Sequence, residues 1–315
     1  MAQIRVECGS GPSKRAWTVG EVYGRFYLPD LESRVAPSTL RSMESSWRVH
    51  VQPRWGAVAL DDVRPIDLQE WLLTLTAASA QIALKVLHGV WRAALMYEAT
   101  ERNPLAAGFR MPTGRKIDRT RAVVAASDMG AYYSAALSEG LGAVFVLCAC
   151  CGLRVGESLG VRAGEVSREE AGGAVVAAVP VSRQVCEDGE VRERLKTEGS
   201  ARWSATAEPW ASALLGLQAE ALERGDGWLT DDGTGSPRGQ GAVRRQWGRA
   251  LKRAGLEHVP LQNLRATFAT QMAGKLVPVE RIARLMGHSK PGITYSTYER
   301  PGKEEFVAIA ASAGR

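Results

Sequence analysis

From Trp17 to Leu105 the apolar positions recur at helical spacing. After Pro37, Leu40, Met43 and Trp47 share one face, with Arg41, Ser45 and Arg48 opposite and Ser38 as the expected N-cap. After Pro65, which suits a first helical turn, Leu68, Trp71, Leu72 and Leu75 form the apolar side of a second helix. A third and longer helix is expected from about Ser79 to Glu98, with a core stripe of Ala83, Leu87, Val90, Trp91, Ala94 and Leu95. Gln81, Lys85, His88 and Arg92 make a second, polar stripe on that helix. Such a stripe is either a solvated face or a surface that lies along nucleic acid.

The pattern breaks between Gly108 and Arg121, where Pro112 and Gly114 accompany Arg115, Lys116 and Arg119. This basic stretch is the expected boundary between two domains. Beyond it, Ser127 or Asp128 caps a helix, and an apolar helix from Leu141 to Cys151 stops at Gly152. Val175–Val179 reads as a strand closed by Pro180. The segments 181–185 and 191–195 alternate around Glu187-Asp188-Gly189-Glu190, where Asp-Gly is a strong hairpin turn, and 201–204 adds one more strand. Helices are expected over 210–222, 241–254, 263–274 and 279–286. The fold class is therefore mainly α with a small antiparallel β-sheet. It is divided into a short arm (1–16), a helical domain (17–108), a basic linker (109–121) and a second domain (122–315).

A formal net charge of +6 leans toward a polyanionic partner, because phosphate-facing lysines and arginines release condensed counterions. No apolar run approaches the ~18 residues needed to span a bilayer, and the N-terminus lacks a signal-peptide core, so a cytoplasmic location is expected. Five cysteines, with Cys148, Cys150 and Cys151 crowded together, make no evident disulfide framework. The cluster is also too tight for zinc, and it reads as small residues buried in an apolar helix.

Four segments carry chemistry in a telling order. They are Cys151-Gly152-Leu153-Arg154-Val155-Gly156-Glu157, then Lys196 on the hairpin, then Gln262-Asn263-Leu264-Arg265-Ala266, then Leu285-Met286-Gly287-His288-Ser289 with Tyr298 following. Together they resemble the active site of the tyrosine recombinase (phage integrase) family over roughly residues 17 to 298. The resemblance implies an N-terminal helical core-binding, SAM-like domain and a C-terminal α+β catalytic domain. It also implies a DNA strand transferase that works through a 3′-phosphotyrosine intermediate and a Holliday junction, with no metal or other cofactor. The partners implied are double-stranded DNA attachment sites and three further copies of the chain in a tetramer, with accessory DNA-bending or directionality factors as an addition. Within residues 1–16 no room is expected for the separate arm-binding domain with which larger integrases begin.

Each implied role suits its residue type. Tyr298 is the nucleophile, with Tyr295 a decoy three residues earlier; a phenol attacks only once its proton is removed or its anion is stabilised by nearby cations. Arg154 and Arg265 clamp the phosphate, since guanidinium forks bind two oxygens and stay charged. Glu157, one turn beyond Arg154, orients it. Lys196 is the general acid for the leaving 5′-oxygen, with Arg194 the competing candidate. His288 donates to the phosphate and helps to position the tyrosine. Arg41, Arg48, Gln81, Lys85, His88, Arg92, Arg115, Lys116 and Arg119 are candidate DNA contacts. After Tyr298 a tail with Phe306, Val307, Ile309 and Ala310 is expected to pass to a neighbouring protomer. The chain departs from the family's His-x-Leu-Arg-His box, having Gln262 and Ala266 where the histidines stand. Glutamine cannot accept a proton near neutral pH. A second reading is therefore a catalytically weakened DNA-binding protein on a recombinase scaffold.

Overall fold

Thr18 starts the first helix: its hydroxyl accepts from the Glu21 N–H at 3.2 Å, and Glu21 accepts from the Thr18 N–H at 2.9 Å. This reciprocal pair satisfies two N-terminal donors. The computed structural model describes residues 16–113, 122–193, 201–225, 227–287, 307 and 310. It separates into two units, Met1–Arg119 and Thr120–Arg315.

In the first unit α1 (Val19–Val22) runs through a π-turn, Tyr23–Tyr27, into α2 (Leu28–Arg34). Likewise α3 (Pro37–Ser46) runs through a second π-turn, Trp47–Val51, into α4 (Gln52–Trp55). Then follow α5 (Pro65–Thr74) and α6 (Ala77–Met96). Their apolar faces meet in one core that includes Val22, Leu31, Met43, Trp47, Leu68, Leu87, Val90 and Trp91. Tyr23 stacks flat on Trp47 with ring centroids 3.7 Å apart.

Local details differ from the sequence pattern. The N-cap of α3 is Ala36 rather than Ser38, because Pro37 occupies the first helical position, where its missing N–H does no harm. The longest helix begins two residues early, since the Thr76 hydroxyl accepts from the Ser79 N–H. Leu95 is 39% exposed; it lies ~100° around the helix from buried Ala94. Trp71 and Leu75 are only half-buried.

The second unit begins with α7 (Met129–Ser138), α8 (Gly142–Ala149) and α9 (Val155–Leu159). Asp128 is the N-cap residue of α7, although its side chain makes no capping bond. Every residue of α8 is buried. Cys148, Cys150 and Cys151 are buried free thiols, and burial pushes Cys148 up to about 12.

A three-stranded antiparallel sheet follows, with β1 (Ser167–Ala171), β2 (Ala174–Val181) and the later β5 (Arg202–Ala207) in the order β1-β2-β5. A separate hairpin pairs β3 (Gln184–Val185) with β4 (Val191–Arg192). The alternation of β2 serves two cores. Ala177, Val179 and Val181 face the main core, while Val176 and Ala178 join Ala205 and Ala207 on the other side. There they meet Val307 and Ala310, so these two tail residues bury against their own chain, where delivery to a neighbour was expected.

The remaining helices are α10 (Trp210–Glu223), α11 (Gln240–Ala254), α12 (Leu264–Gly274) and α13 (Val279–Met286). Pro180 does not close its strand. It pairs in register with Trp203, and β2 continues to Val181. Strand β1, which has no β-branched residue, was absent from the sequence reading.

Candidate active site

Glu157 is the centre of the site. It lies in α9 with 2% of its side chain exposed, and three arginines converge on its carboxylate. Arg154, the N-cap residue of α9, approaches from the same turn. Its backbone N–H donates to Oε2 at 2.9 Å and its Nη1 to Oε1 at 2.7 Å. Arg202, at the start of β5, donates from Nη2 to Oε2 at 2.8 Å. Arg265, in the first turn of α12, places Nη1 3.7 Å from Oε2.

Arg265 is held from two further sides. Nη1 donates to the Gly152 carbonyl at 2.7 Å, and Nη2 donates to the Met286 carbonyl. It thus ties the turn before Arg154 to the end of α13. Gly152 must be glycine for two reasons. Its φ is +70°, and a Cβ there would stand 2.5 Å from the Phe268 ring, which packs one helical turn after Arg265.

The electrostatics favour an arriving anion. Burial alone would push the Glu157 carboxyl up, but the Arg202 guanidinium, the Arg154 N–H and the Arg154 charge outweigh it and leave the group below the ordinary range. Burial, together with the neighbouring charge of Arg154, lowers Arg265 to about 10. Arg265 still carries its proton at neutral pH. Three guanidiniums therefore share one carboxylate. Arg154 keeps 47% of its side chain exposed.

The structure brings together Arg154, Glu157 and Arg265 of the sequence candidates. Gln262 lies in the 3-10 turn Leu261–Asn263 ahead of α12 and is exposed. Lys196 with its competitor Arg194, His288, Tyr298, and Arg115, Lys116 and Arg119 lie outside the described residues. The hairpin leading toward Lys196 is anchored at its base. Arg183 donates to both oxygens of Glu165 at 2.6 and 3.0 Å and to Glu193 at 3.0 Å, while Gln240 donates to the Val185 carbonyl at 2.7 Å. On the first unit Gln81, Lys85, His88 and Arg92 all lie exposed along α6, and Arg41 and Arg48 are exposed on α3 and the π-turn after it.

Sequence reasoning missed Arg202. It is an arginine at the start of a short strand, and its partners Glu157 and Leu285 are remote in sequence. It also passed over the cationic side of α11, where Arg244, Arg245, Arg249, Lys252 and Arg253 are exposed. Arg249 and Arg253 both reach Glu139, at 3.2 and 3.0 Å. Basic residues at helical spacing on that helix were the available signal.

A helical unit followed by an α+β unit that gathers three arginines on one glutamate fits the integrase resemblance of the sequence. Family models agree: "Phage integrase family" matches residues 123–305, and "Phage integrase, N-terminal SAM-like domain" matches residues 18–75. The protein belongs to the phage integrase family.

A curated protein of Streptomyces ambofaciens described as "Integrase" is 26% identical over 267 residues, which cover 80% of this chain and 68% of that one. Among solved structures, the Tn1549 transposon integrase in complex with a circular intermediate DNA superposes with a TM-score of 0.69 at 18% identity, covering 87% of this chain and 92% of that one. A lambda integrase dimer bound to a COC′ core site gives 0.65 at 20% identity, covering 90% and 99%. A lambda integrase tetramer bound to a Holliday junction gives 0.65 at 20% identity, covering 91% and 82%. These likenesses show a shared fold, including the mainly α architecture with a small antiparallel sheet. Among the described residues no helix is long and apolar enough to cross a membrane.

Proposed function

We propose that the protein is a site-specific DNA recombinase that cuts and rejoins DNA through a 3′-phosphotyrosine on Tyr298. The observation that carries this reading is the meeting of Arg154 and Arg265 on the Glu157 carboxylate, with 47% of the Arg154 side chain exposed and so within reach of a phosphate. The scissile phosphate would sit against the half-exposed Arg154, and the two guanidiniums would neutralise charge building on its non-bridging oxygens. The Tyr298 oxygen would then form a bond to phosphorus as the bond to the 5′-oxygen breaks. Lys196 would protonate that leaving oxygen, and the phenolic proton would pass to water. Because the phosphotyrosine keeps the phosphodiester's bond energy, the reverse attack by a 5′-hydroxyl reseals a strand without ATP.

Four protomers on two attachment sites would exchange strands pairwise through a Holliday junction, by analogy with the lambda integrase tetramer bound to one. The exposed cations along α6 and α11 suit a duplex backbone. The test is a nicked duplex carrying the repeat found in the DNA that flanks the gene. A covalent adduct resistant to SDS is expected with the natural protein and none with Tyr298→Phe. Tight binding with no adduct would instead favour the weakened DNA-binding protein, the reading that Gln262 motivates.

Gln262→His provides a second check. Gln262 is exposed on a short turn, so the substitution should shift stability by no more than about 0.5 kcal/mol. A histidine there could accept the phenolic proton, and the rate of adduct formation should be equal or higher. A large loss would show that Gln262 has a different role.

A further inference from the structure

Arg202 is almost fully buried, with 4% of its side chain exposed, and its guanidinium faces two ways. Nη2 and Nη1 donate to the two Glu157 oxygens at 2.8 and 3.4 Å, while Nε donates to the Leu285 carbonyl at 2.9 Å. Arg265 takes the next carbonyl, that of Met286. Carbonyls at the carboxyl end of a helix lack intrahelical donors and carry partial negative charge, so two guanidiniums are natural partners for them. Gly287 then ends α13 in the left-handed conformation, with φ 65°. A Cβ at Gly287 would stand 3.0 Å from Arg202 Cδ and Nη1, so Gly287 packs directly against this side chain. The next residue in sequence is His288.

We propose that Arg202 is a positioning residue: it fastens the end of α13 to the Glu157 carboxylate and so sets where His288 meets the phosphate held by Arg154 and Arg265. The inference rests on the recombinase reading for its consequence but not for the tether itself. Lysine is the informative replacement. Its ammonium keeps a positive charge opposite Glu157, but without a planar fork it cannot serve the carboxylate and the Leu285 carbonyl together. The folded state should therefore survive, which circular dichroism checks.

Hydrogen exchange of the full chain without DNA reads the tether. In Arg202→Lys the amides of Leu285, Met286 and Gly287 should exchange at least about tenfold faster, with α8 and α12 unchanged. Unchanged exchange at α13 overturns the proposal, and so does an equal rise throughout the unit, which would mark Arg202 as a general stabiliser. On the nicked duplex Arg202→Lys should slow adduct formation by about 100-fold, the usual penalty for ~1 Å of misplacement. Combined with His288→Ala it should be no slower than His288→Ala alone, whereas independent, multiplying losses overturn the route through His288. A natural protein that forms no adduct would defeat the recombinase reading, and the exchange result would still decide the tether.

Discussion

Replacing Arg265 with Met is expected to slow covalent cleavage of a nicked duplex by at least about 10³-fold while lowering the stability of the fold by no more than about 3 kcal/mol. The two effects separate because Arg265 is held in a place that disfavours its charge. Burial and Arg154 lower it from 12.5 to about 10, a differential of roughly 3 kcal/mol against the charged form. Its hydrogen bonds to the Gly152 and Met286 carbonyls work the other way, at roughly 1.5–3 kcal/mol each for a charged donor. Removing the side chain abolishes both terms, and they offset to within a few kcal/mol. A phosphate in transit loses one of its two guanidiniums outright. Adduct formation and thermal unfolding, measured on the same preparation, check the pair of expectations. A large fall in melting temperature would show that Arg265 is mainly structural.

Glu157→Gln should do the reverse and strike stability first. Glutamine keeps the shape but removes the carboxylate charge that faces buried Arg202 and the neighbouring Arg265. Breaking a buried pair from one side costs about 3–5 kcal/mol. For a unit of this size that corresponds to a melting temperature lower by roughly 6–20 °C. The pH dependence has a definite sign. The folded pKa of Glu157 lies below its ordinary value of 4.5, so its stabilisation is fully present above that value and is lost as pH falls through the folded pKa. The gap between the natural protein and Glu157→Gln should be widest near neutrality and should close in acid. Urea unfolding at pH 7 and again below pH 4 measures it; a gap that is constant with pH would rule out the ion pair as its source.

Elements with a strong period or a turn dipeptide were legible before any coordinates. The stripe of α6, the α13 helix ending at Gly287, and the hairpin around Asp188-Gly189 all follow from local rules. Strand β1 escaped because Ser-Arg-Glu-Glu-Ala looks solvated. It is an edge strand whose only local mark is the Gly172-Gly173 pair, both at positive φ, that turns it into β2. Pro180 misled because proline removes a donor, which stops a strand only where that donor is needed. The candidate site divides in the same manner. Glu157 one turn after Arg154 was readable as a local pair, and the structure makes that pair with two hydrogen bonds. The bond that Arg202 makes to the same carboxylate was not, because it depends on how a strand edge packs against two helices.

The amino-acid sequence alone determined most of the elements, their order, and the arginine, glutamate and histidine boxes, since these depend on neighbours within a few residues. Tertiary structure alone decided that Arg154, Arg202 and Arg265 share one buried carboxylate, and that two of them hold the end of α13. Burial, charge balance and carbonyl capping at that point are set by chain segments distant in sequence, and no local pattern encodes where they meet.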